Sequence, residues 1–133
     1  MKKAKLCERY LEARDRSDLS GVLSLFEPAA VVVSPLYGKV EVSKFFTDLF
    51  ADTNRSNTSL LNIYEPIGTT PSVALHFKYE WTLRSGKTVE FQVVDILELN
   101  ENDECFRKLT IIYDTAPIRA DFDASRITNS ASR

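Results

Sequence analysis

The stretch Val73-Ala74-Leu75-His76-Phe77-Lys78-Tyr79-Glu80-Trp81-Thr82-Leu83-Arg84 alternates without a break. Successive side chains of a strand point to opposite sides of the sheet. Val73, Leu75, Phe77, Tyr79, Trp81 and Leu83 therefore share one face, and Ala74, His76, Lys78, Glu80, Thr82 and Arg84 share the other. Such a run predicts a long strand with one buried side. Ser85-Gly86 supplies a hairpin turn, so residues 88–99 return antiparallel to it. The acidic turn Asn100 to Glu104 then leads into a further strand over 105–114.

The returning strand contains one misfit. Phe91, Val93, Leu97 and Leu99 share a face with Asp95. An ionised carboxylate left unpaired on an apolar face is strongly destabilising. Asp95 is thus paired, turned outward by a bulge, or kept protonated for a purpose. Arg107 on the following strand is the partner the sequence suggests.

Upstream, the hydrophobic period changes. Leu6, Cys7, Tyr10 and Leu11 fall on one face of a helix over 3–15. Ser17 or Asp18 caps a second helix with the stripe Leu19, Val22, Leu23 and Phe26, ended by Pro28. Ala30 to Ser34 reads as a short strand stopped by Pro35, followed by a turn at Tyr37-Gly38. A third helix covers about 40–51, since Val42, Phe45, Phe46, Leu49 and Phe50 keep helical spacing. Asp52 to Ser59 is polar and reads as loop, and 60–67 as a short strand. Residues 117–133, rich in Ser, Ala, Asp and Arg, read as a tail with one helical turn near Ile118–Ala124. The expected organisation is one domain over 1–116 and a C-terminal tail over 117–133. Its class is α+β, with helices on one face of a mainly antiparallel sheet.

Composition narrows the function classes. The 133 residues are 44% hydrophobic and 27% charged, with a formal net charge of −2, as in an ordinary globular domain. The absence of a basic excess argues against nucleic acid as a partner. No run is long enough to span a membrane. The basic start Met1 to Lys5 lacks the apolar segment of a signal peptide, because Glu8, Arg9, Glu12 and Arg14 follow. A cytoplasmic location is expected. Cys7 and Cys105 have no metal-ligand spacing, and there is one histidine, so neither a metal nor a cofactor is expected.

Three segments carry a family likeness. Glu8-Arg9-Tyr10-Leu11-Glu12-Ala13, Asp18 through Phe26, and Val33-Ser34-Pro35 resemble the bacterial ketosteroid isomerases. Lys87-Thr88-Val89 followed by Asp95 resembles them as well. Those enzymes belong to the nuclear transport factor 2-like superfamily, together with the SnoaL-like polyketide cyclases. The likeness spans roughly residues 6–114. It implies a cone-like, cystatin-like fold, with three N-terminal helices on a curved sheet. Ketosteroid isomerase is one of the standard cases of pKa tuning: an aspartate base works with a tyrosine and a protonated aspartate that bind the oxyanion. The resemblance places the tyrosine at Tyr10 and the protonated aspartate at Asp95. The base position, just before the proline that ends the first strand, holds Ser34. A serine hydroxyl takes no proton at neutral pH without a neighbouring base.

The resemblance thus implies a small-molecule pocket protein. Either it is an isomerase-type or cyclase-type enzyme stabilising an enolate-like oxyanion, or it is a binding or dimerisation module of the same fold. SnoaL-like cyclases carry an acid/base aspartate on their last strand, which makes Asp114 a substitute base; the commoner role of a strand-end aspartate is a turn. Phe26, Phe45, Phe77, Tyr79 and Trp81 are the expected pocket walls for an apolar or polycyclic aromatic ligand, and they are equally good core residues. His76 points to the opposite face. That face, with Ala74, Val94 and Ile96, is the expected surface of a homodimer.

Overall fold

The paired strands come first, because they set everything else. A computed structural model describes residues 2–131. Strand β4 (Ser72–Leu83) and strand β5 (Thr88–Leu99) form the hairpin, with Gly86 at φ +94 in its turn. Only glycine takes that conformation at no steric cost. The register sets Leu75 opposite Asp95, Phe77 opposite Val93 and Tyr79 opposite Phe91. One side of β4 is buried at every second residue, as its alternation predicts.

Strand β6 (Phe106–Ile112) pairs with β5, and strand β1 (Phe26–Ser34) runs parallel to β6. Strand β2 (Gly38–Glu41) and strand β3 (Thr53–Tyr64) close the two edges, giving the order β2-β1-β6-β5-β4-β3. The sheet is curved and unclosed. Helices α1 (Lys2–Asp15), α2 (Leu19–Leu23) and α3 (Val42–Ala51) bury their apolar stripes against it. The expected α+β architecture is therefore what the chain adopts. Asp18 caps α2, its Oδ1 accepting from the Gly21 amide at 3.0 Å.

Besides β2, which takes Gly38–Glu41 where the sequence reads a turn and the start of a helix, three segments differ from the sequence reading. Asp52 to Ser59 is mostly not loop but the first half of β3. As an edge strand, β3 buries only Thr53 and Ser56, and irregularities at Thr53/Arg55 and Leu60/Asn62 break its alternation. A polar sequence with a broken period hides a strand. Strand β1 begins at Phe26 and passes through Pro28, where its pairing with β6 is interrupted between Phe26 and Val31; proline is tolerated at such irregularities. The segment read as tail forms a fourth helix, α4 (Arg119–Ala131). Among its described side chains, Ile118 just before the helix, then Phe122 and Ser125, are buried among polar neighbours.

Candidate functional site

Two clusters of the same residue types flank the inner face of the sheet. The first grows from α1. Tyr10 and Arg14 lie one helical turn apart and so share a face, and β5 aims Asp95 at them. The Tyr10 hydroxyl donates to Asp95 Oδ2 at 2.7 Å. Arg14 Nη1 donates to the same oxygen at 3.0 Å and to Tyr10 Oη at 3.1 Å. Tyr10 and Asp95 are 0% exposed and Arg14 is 4% exposed. Phe26, Phe46 and Phe106 pack edge-on around the Tyr10 ring. The guanidinium lies 5.2 Å from the Tyr79 ring centre and 5.7 Å from that of Phe77.

Burial pushes the Asp95 carboxyl above its ordinary value, while the Arg14 charge and both hydrogen bonds pull it down. Burial likewise pushes the Tyr10 hydroxyl well up. Burial works against the Arg14 charge, but Tyr10 and Asp95 outweigh it and the guanidinium stays protonated. The sequence made Asp95 a donor and suggested Arg107 as its alternative partner. The partner is Arg14, whereas Arg107 is exposed. Both contacts fall on Oδ2, while Oδ1 is buried with no partner among the described residues.

The second cluster gathers three distant segments. The Tyr37 hydroxyl donates to Asp52 Oδ2 at 2.7 Å, and Arg126 Nε of α4 lies 3.7 Å from that oxygen. Burial first, then Asp52, raises the Tyr37 pKa. Phe122 of α4 packs on the Tyr37 and Trp81 rings, 5.6 Å from each centre. Ser125 accepts from the Ser85 amide at 3.0 Å, so α4 is fastened to the β4–β5 turn as well.

Between the clusters lies a cavity of about 20 Å³, room for a water molecule. Its polar lining is Arg14, Ser34, Tyr37, Tyr79 and Tyr113. Its apolar wall is Phe45, Leu49, Trp81, Phe91, Val93 and Ile111. Of the expected wall residues, Phe45, Tyr79 and Trp81 line it. Phe77 lies beneath Arg14, and Phe26 packs on Tyr10. Tyr10 and Asp95 meet each other but stand behind Arg14 and outside the lining. Ser34 reaches the cavity, its Oγ accepting from the Tyr37 amide at 3.0 Å. Asp114 is exposed and forms a turn, its Oδ1 accepting from the Ala116 amide at 3.0 Å. His76 is on the outer face, 2.8 Å from Gln92 Oε1.

Arg14, Tyr37, Tyr113, Asp52 and Phe122 are not among the site residues the sequence suggests. Arg14 left a signal: a cation one turn after Tyr10, on the apolar stripe of α1, can answer the lone carboxylate of β5. The others come from segments that only the fold brings together.

The chain is thus a small open cone with a small aromatic-lined cavity at its inner face. It belongs to the SnoaL-like domain family, whose model matches residues 7–107. No curated protein matches the sequence significantly. Among solved structures it is similar to TerC co-crystallised with polyporic acid, at 15% identity and a TM-score of 0.77, covering 92% of this chain and 99% of that one. A nuclear transport factor 2-like protein from Burkholderia pseudomallei has 16% identity and a TM-score of 0.75, with 89% and 95% covered. A protein of ketosteroid isomerase-like fold from Catenulispora acidiphila, in complex with trimethylamine, has 12% identity and a TM-score of 0.73, with 86% and 89% covered. At these identities the likeness is one of fold. Among the described residues, no helix is long and apolar enough to cross a membrane.

Proposed function

We propose that this chain is a small-molecule-binding protein whose site is the cavity lined by Arg14, Ser34 and the three tyrosines. The observation that carries this reading is the lining itself: three tyrosines, Arg14 and Ser34 converge between aromatic walls, the usual make-up of a pocket that holds a largely apolar ligand by a few polar contacts. Neighbours of this fold were crystallised with polyporic acid and with trimethylamine, which supports small-molecule binding and leaves the ligand's chemistry to the lining. A ligand larger than water needs the lining to move apart, and the proposed route is that Phe122 leaves its packing on the lining residues Tyr37 and Trp81.

Binding is favoured over turnover. Proton transfer next to a carbonyl needs a base at the cavity, and the lining has no carboxylate or histidine. The isomerase-type reading keeps one supporting observation, the 2.7 Å contact between Tyr10 and Asp95, and needs both to turn toward a substrate. A homodimer through the outer face of β4 and β5 belongs to the same proposal. There Ala74 faces Ile96 and Val94 faces Ile112, and Ile112 is 51% exposed.

Native mass spectrometry of protein purified from its own host, with Trp81 fluorescence during titration with 2-naphthol, tests the binding reading. A retained small molecule or saturable quenching is the expected result. Neither appearing, in the parent and in Phe122→Ala, contradicts it. Sedimentation at micromolar concentration tests assembly: a dimer that Ile96→Glu splits is expected, and a monomer unaffected by Ile96→Glu contradicts it.

A further inference from the structure

Arg14 has capacity that the fold does not use. Its contacts to Tyr10 and Asp95 both come from one nitrogen, Nη1. Its Nε–H has no protein partner although the residue is only 4% exposed. Buried polar groups are nearly always hydrogen-bonded, and an exception needs an explanation. Arg14 also lines the cavity. Rings of Tyr79 and Phe77 hold the guanidinium within 5.2 and 5.7 Å of their centres, so it is fixed in place.

The charges around the cavity point one way. Among the described residues, Arg14 is the only charged one in its lining. Asp95 stands behind Arg14, and Asp52 stands behind Tyr37, which donates to it. A guanidinium is a planar fork of donors suited to a planar, delocalised anion. The Phe122 ring packs against Tyr37 and Trp81, which line the same cavity as Arg14, and this marks a seat for a flat ring at the cavity wall.

We infer that Arg14 is the anion-recognition residue of this cavity. Its ligand is a flat aromatic monoanion, a ring bearing one carboxylate or one acidic hydroxyl. The charged oxygen pairs with the Arg14 guanidinium where it borders the cavity, and the ring takes the place of Phe122 against Tyr37 and Trp81. The inference rests on the cavity being the ligand site, and the test separates the two. Tyr10 and Asp95 then act as positioning residues that hold the guanidinium.

The test compares 2-naphthoate with the neutral 2-naphthamide by isothermal titration calorimetry at neutral pH. Both present the same ring. The parent protein is expected to bind the naphthoate about tenfold or more tightly, the gain of a hydrogen bond to a charged group. The double variant Arg14→Met with Asp95→Leu removes both buried charges together, which folds tolerate far better than loss of one. It is expected to bind the amide still and to lose the preference. If that variant does not fold, Arg14→Lys keeps the charge without the fork and is expected to lose most of the preference. Equal binding of both ligands by the parent overturns the inference and leaves the cavity reading standing. A preference that survives in the double variant, or undiminished in Arg14→Lys, overturns the assignment to Arg14. No binding of either ligand overturns the cavity reading and the inference with it.

Discussion

The molecule builds the same cluster twice, and the two copies do different work. In each, a tyrosine donates to an aspartate Oδ2 at 2.7 Å, and an arginine approaches that oxygen, at 3.0 Å in one and 3.7 Å in the other. Tyr10, Asp95 and Arg14 are sealed in the core. In the Tyr37, Asp52 and Arg126 cluster, the Arg126 side chain is 53% exposed. Burial decides what an ion pair is worth. A sealed pair is costly to break because the survivor keeps an unanswered charge. A wet pair is screened and contributes little. The inner cluster therefore fixes a cation beside the cavity. The outer one joins α4 to Asp52 and Tyr37 near the surface.

The largest effect should separate the clusters directly. Asp95→Ala strands the Arg14 charge and should cost roughly 3–5 kcal/mol in urea unfolding. Asp52→Ala should cost about 1–2 kcal/mol, most of it from the lost Tyr37 bond. Equal costs would erase the distinction between inner and outer clusters.

The hydroxyls sharpen it. Tyr10→Phe should lose roughly 1.5–3 kcal/mol, as for a hydrogen bond to a charged acceptor, and Tyr37→Phe less, since its acceptor sits nearer to water. A larger loss in Tyr37→Phe would show that the outer cluster carries the stability.

The latch should show in dynamics more than in stability. Arg126→Ala should change global stability by less than about 1 kcal/mol. It should nevertheless speed amide hydrogen exchange in α4, which a local opening allows. Unchanged exchange across 119–127 would mean that Phe122 and Ser125 alone hold the helix.

The smallest effect concerns the thiols. Cys7 on α1 is 1% exposed, and burial, with Glu65 and Glu8, raises its pKa to about 11. Only thiolates react readily, so native alkylation should modify Cys105 first and Cys7 only when α1 lifts. Rapid Cys7 labelling in the folded protein would show that the inner side is not sealed.

The same contrast explains what the sequence revealed. The β4–β5 hairpin was legible because its period of two never breaks from Val73 to Leu83. Asp95 was legible because a carboxylate between Val93 and Leu97 violates that pattern, and the family likeness then pointed to Tyr10. Arg14 was missed although it lies four residues from Tyr10. Its partner is 81 positions away, and Arg107 on the adjacent strand looked nearer. The outer cluster was out of reach: Tyr37, Asp52 and Arg126 share no element and no period. Strand β3 and helix α4 were hidden by the same cause, since each is an outer element that buries few side chains.

The central claim is that Asp95 serves as the counter-ion of Arg14 and not as a donor to the ligand. Affinity of 2-naphthoate for Asp95→Asn, relative to the parent, measures this most directly. Asparagine keeps an acceptor for Tyr10 and Arg14 while removing the competing negative charge. Tighter naphthoate binding in Asp95→Asn is the predicted result, with 2-naphthamide binding little changed. Weaker naphthoate binding in Asp95→Asn would contradict the account and return Asp95 to the role of a protonated donor.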